Sequence, residues 1–83
     1  MSLHEALPVE FLIDAMHDLD DLPAIARQLT ALAHAGKPAC GQPDPSLREL
    51  VLAEGSSQKR LIYRCESEQI LVLSAERVSP TRH

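Results

Sequence analysis

Between residues 47 and 75 the chain alternates short apolar runs with polar breaks, LRELVLAEGSSQKRLIYRCESEQILVLSA. Three runs rich in Leu, Ile, Val and Tyr are divided by Glu54-Gly55-Ser56-Ser57 and by Glu66-Ser67-Glu68. Runs of about five to seven such residues with tight polar turns between them predict an antiparallel meander. The strands fall at roughly residues 47–53, 58–65 and 69–75. Gly55 suits the first turn, because only glycine takes a positive φ without steric cost. In the second run Leu61 and Tyr63 alternate with Arg60, Ile62 and Arg64. In the third, Ile70 and Val72 alternate with Leu71 and Leu73. Apolar residues on both faces predict central strands, or an open face that meets another protein.

Upstream the period changes. Residues 3–11 read as a short strand, because Val9 and Phe11 cluster there and Pro8 suits a strand's beginning or edge; the first turns of a helix are the alternative. Over residues 12–22, Leu12, Met16 and Leu19 recur at i, i+4 and i+7, with Ala15 and Leu22 alongside and Asp14, Asp18 and Asp21 elsewhere. That spacing predicts an amphipathic helix. Asp21 before Leu22-Pro23 is an N-cap signature with Pro in the first turn. A second helix therefore runs to Ala35, with Ile25, Leu29, Leu32 and Ala33 as its stripe and Gly36 as its stop. Residues 37–45 (KPACGQPDP) read as an irregular connection. The fold class is α+β: an N-terminal strand, a two-helix hairpin, then a three-stranded antiparallel meander, β-α-α-β-β-β, with the helices packed on one sheet face. Residues 1–83 make one domain, and the polar tail frays beyond Ser79.

Composition narrows the chemistry. Phe11 and Tyr63 are the only aromatic residues in 83, which leaves little to stack on bases. Twelve acids against eight bases give −4, and the acids are uneven: residues 1–22 hold six and no Lys or Arg. A solvated helix face is the plain explanation. Cys40 and Cys65 form no disulfide framework, and with His4, His17, His34 and His83 they show no metal-type spacing, so no metal and no cofactor is expected. No secretory signal and no bilayer-length apolar run is visible, which points to the cytoplasm and away from membranes. No nucleophile–base pair, P-loop or dinucleotide fingerprint occurs.

Three segments carry a likeness. Val9-Glu10-Phe11 leads into Ala15 and Asp18-Leu19; Pro45-Ser46-Leu47-Arg48-Glu49-Leu50 follows a loop rich in Gly and Pro; Arg60-Leu61-Ile62-Tyr63-Arg64 precedes Ile70-Leu71-Val72-Leu73. In this order they resemble the RelE/ParE superfamily of bacterial toxin–antitoxin toxins. The chain departs from that pattern in its net acidity, in Lys59 where an aromatic is common, and in Glu76-Arg77-Val78 where a basic tail is usual.

The resemblance implies a growth-inhibiting toxin, neutralised by a cognate antitoxin, that inhibits DNA gyrase or cleaves mRNA on the ribosome. A nuclease of this kind works without metal: it must deprotonate a 2′-hydroxyl, stabilise the phosphorane and protonate the leaving oxygen. Arg48, Arg60, Arg64 and Arg77 are the candidate phosphate or target contacts. Arg60 and Arg64 share a strand face and are spaced to clamp one phosphate. A base is harder to place: His83 is terminal, His17 and His34 are helical, and Tyr63 has an ordinary pKa near 10. Gyrase inhibition needs no catalytic residue, so the thin acid–base set suits that branch better; the net acidity and the same thin site leave, as the alternative, a non-catalytic interaction module of the same fold, degenerate or homodimeric. A third reading is an unrelated small α+β protein, which a helix across residues 3–11 or a parallel strand pair would favour.

Overall fold

A computed structural model describes residues 7–78. The tail expected to fray beyond Ser79, and the part of the first strand assigned before residue 7, lie outside the described residues. In chain order the elements are β1 (Val9–Phe11), α1 (Ile13–Met16), α2 (Leu22–Leu32), a 3-10 turn (Ala33–Ala35), β2 (Lys37–Pro38), β3 (Arg48–Glu54), β4 (Ser57–Cys65) and β5 (Ile70–Arg77).

The strand order is β1-β5-β4-β3-β2. β3, β4 and β5 form the expected antiparallel meander, and Gly55 turns it at φ 62°. The sheet nevertheless differs from expectation in two ways. It is mixed, because β1 runs parallel to β5 with Val9 opposite Ile70. It also has five strands, because Lys37 and Pro38, assigned to an irregular connection, pair with Glu49 and Arg48. Two side chains draw this segment onto β3: Arg48 Nη1 donates to the Gly36 carbonyl at 2.6 Å, and Glu49 Oε1 accepts from the Cys40 N–H at 3.3 Å. Pro38 is tolerated because β2 is an edge strand.

The helical half needs a larger correction. The first helix is one turn, not three, and of the stripe Leu12, Met16 and Leu19 only Leu19 is buried; Ala15 is the residue α1 buries. The cause lies at residues 18–21. The Asp20 and Asp21 N–H groups both donate to Glu54 Oε2 at 2.7 Å, and the Asp18 carbonyl accepts from Lys59 Nζ at 2.5 Å. Backbone groups held by the β3–β4 hairpin are not free to continue a helix. α2 starts as expected: Asp21 Oδ1 accepts from the Ala24 N–H at 3.2 Å, with Pro23 in the first turn. It buries Ile25 and Leu29, the 3-10 turn buries Ala33, and Leu32 is exposed.

α1 packs against β5 and β1, and α2 against β3 and β1. The core between these helices and the sheet holds Ala15, Leu19, Ile25, Leu29, Ala33, Leu52, Leu61, Tyr63, Ile70, Val72 and Ala75. Packing of this kind is the main stabilising term in a chain with few aromatics.

Candidate functional site

Alternation along β4 sorts its side chains. Lys59, Leu61 and Tyr63 are buried under the helices, while Arg60, Ile62 and Arg64 are half-buried on the opposite face. On β5 a bulge puts Ile62 opposite Ser74 and Tyr63 opposite Val72, leaving Leu73 as the extra residue. Ile70, Val72 and Ala75 are buried; Leu71 and Leu73 are half-buried. On β3, Leu52 is 3% exposed and its neighbour Val51 44%. The uncovered face thus carries Val51, Ile62, Leu71 and Leu73 in its middle, with Arg60, Arg64, Glu49 and Glu76 among them.

The four candidate arginines do not converge. Residues directly opposite in an antiparallel pair share a face. Arg48 is opposite Tyr63 and Arg77 is opposite Lys59, so both belong to the helix-covered face, at its margins. Arg48 is tied to Gly36, and Arg77 Nη2 donates to Ser57 Oγ at 3.4 Å. Arg60 and Arg64 do share the uncovered face, and each is already paired. Arg60 is ion-paired with Glu76, its cross-strand neighbour. Arg64 donates from Nε and Nη2 to one oxygen of Glu66, at 3.0 and 2.8 Å, and reaches Asp44 at 3.7 Å.

These pairs have electrostatic signatures. Glu66 is held below the ordinary glutamate range by the Gln69 amide, at 2.8 Å, and then by Arg64. Asp44 is lowered by the Ser46 hydroxyl and N–H, at 2.7 and 2.9 Å, with a smaller contribution from Arg64. Burial pushes the Tyr63 phenol up, and its hydroxyl donates to the Ala33 carbonyl at 2.5 Å. A raised pKa leaves less phenolate on Tyr63 to accept a proton near neutral pH. His17 and His34 sit on the helical side of the chain, off the sheet. His83 lies outside the described residues.

One buried charged group escaped sequence reasoning. Lys59 is 6% exposed, and its ammonium contacts Glu54 Oε1 at 2.7 Å as well as the Asp18 carbonyl. The signal was present: the parity that turns Leu61 and Tyr63 inward also turns Lys59 inward. Burial alone would push the Glu54 carboxyl up. Lys59 and the N–H groups of Asp21 and Asp20 outweigh it and hold Glu54 below its ordinary range. Together these contacts clasp the start of α2 to the β3–β4 hairpin.

Concavities accompany the sheet among the described residues. A groove of about 440 Å³ runs between β1 and α2, lined by Leu7, Pro8, Val9, Ala26, Arg27 and Thr30. A cleft of about 500 Å³ lies at the β2–β3 edge, lined by Ala35, Lys37, Glu49, Leu50, Val51 and Arg60. Neither lining includes a Ser, Cys or His side chain. Among the described residues no helix is long and apolar enough to cross a membrane. The chain matches no model of a known protein family, and no curated protein matches it.

Proposed function

We infer that this chain acts by binding a macromolecular target through its uncovered sheet face, as a RelE/ParE-like toxin of the non-cutting kind, held silent by an antitoxin. The observation that carries the binding half of this reading is the division of the arginines. Two face away from the other two, and the pair on the uncovered face is already neutralised by Glu76, Glu66 and Asp44. A cutting site needs free cations and a proton acceptor at one phosphate. A docking face needs an apolar middle and a polar rim, and Ile62, Leu71 and Leu73 with their flanking ion pairs supply both. The order strand, helices, meander supports the kinship.

Expression in a bacterium, with and without the neighbouring gene, tests the reading. Growth should stop when the chain is made alone and resume with its neighbour. Purified chain should leave mRNA intact on translating ribosomes, and Ile62→Glu should abolish the arrest at unchanged protein level. Normal growth at verified expression contradicts the toxin assignment. Cleavage that disappears in Arg64→Ala contradicts the non-cutting assignment.

A second reading has one specific observation in its favour. β1 and β5 are parallel, the outcome that an unrelated small α+β binding protein accounts for directly. Normal growth together with a captured protein partner on the same face favours it.

A further inference from the structure

Three large apolar side chains are left in water at one place: Leu12, Ile13 and Met16 are 44%, 65% and 39% exposed. They belong to α1 and the residue before it, and only Ala15 of that turn is buried. Folding gains nothing from exposing them, so a contact is the usual reason for such a cluster. Its neighbours along the chain are of one sign. Asp14, Asp18, Asp20 and Asp21 are exposed, Glu10 precedes them, and residues 7–26 contain no Lys or Arg. None of these five carboxylates forms an ion pair among the described residues. The base drawn to this stretch, Lys59, is buried against Glu54 and the Asp18 carbonyl. Asp21 is also engaged as the cap of α2.

An aliphatic knob flanked along the chain by exposed carboxylates repels nucleic acid, anionic lipid and the same patch of a second copy, since each brings negative charge. Its complement is a protein segment with aliphatic anchors flanked by Lys or Arg. We propose that the α1 knob of Leu12, Ile13 and Met16 docks a basic amphipathic segment of another protein. This surface is distinct from the face bearing Arg60 and Arg64, because α1 packs through Ala15 into the core on the helix-covered side. The proposal therefore stands independently of the toxin reading.

The test uses the full chain and an amphipathic helical peptide of about 18 residues made of Leu and Lys, with a Leu and Glu peptide of the same pattern as control. Backbone amide shifts should concentrate at residues 12–18. Ile13→Ser, which alters no charge, and the double change Asp14→Asn with Asp18→Asn should each weaken binding about tenfold. Val51→Ser removes an exposed apolar group on the uncovered sheet face and should change affinity less than about twofold. Equal effects of Ile13→Ser and Val51→Ser, or none, would show that the peptide reads charge alone and overturn the proposal. Binding of the Glu peptide with similar affinity, or self-association through Ile13 without peptide binding, overturns it too.

Discussion

Gly36 has an ordinary φ of −67°, yet no residue with a side chain fits there. A Cβ at this position would lie 1.9 Å from Tyr63 Oη and 2.8 Å from Cζ. The sequence suggested a glycine as helix stop; the actual reason is the approach of a tyrosine distant in sequence, which no local pattern encodes. Gly36→Ala should lower stability by about 2 kcal/mol in urea unfolding, the usual size of an overpacking penalty. The Lys59–Glu54 contact gives a pH-dependent prediction. The folded pKa of Glu54 is depressed, so its contribution is full above the unfolded glutamate pKa and is lost as pH falls through the folded value. Lys59→Met leaves a buried carboxylate without its ammonium and should cost about 3 kcal/mol at neutral pH. That deficit should shrink as the pH falls through the range in which Glu54 takes up its proton, and unfolding curves recorded from neutral into acid pH measure it.

At the scale of elements, the strands of the meander were legible because each is bounded by a polar turn and carries its own β-forming residues. The cap of α2 was equally legible: Asp21 and Pro23 act locally. Asp21→Ala should cost about 1 kcal/mol and speed amide exchange in the first turn of α2, with β4 amides little changed. α1 was misread because periodicity reports which residues can share a face, not whether the backbone stays helical. Glu54 and Lys59, far along the chain, capture residues 18–21 and end the helix early. β2 was missed for a similar reason: two residues with a proline carry no strand signal, and it is Arg48 and Glu49 that hold the segment at the edge.

For the whole molecule, the decisive feature is that the helices cover one face of the sheet and no described element covers the other. Alternation along β4 announced this division, and the structure places Arg60 and Arg64 on the uncovered side. The separation of Arg48 and Arg77 from them was within reach only once register was known, because facing across strands depends on pairing. The same register limits what the surface arginines do for stability. Arg60→Ala and Arg64→Ala should each change the unfolding free energy by less than about 1 kcal/mol, the usual worth of exposed ion pairs. The most direct measurement compares two adjacent substitutions on β4, Leu61→Glu and Ile62→Glu, by denaturant unfolding. A helix lid over one face predicts that Leu61→Glu, burying a charge where exposure is 0%, costs more than about 4 kcal/mol, while Ile62→Glu costs about 1 kcal/mol and stays folded. Equal losses, or a larger loss at Ile62, would contradict an uncovered face and the docking role built on it.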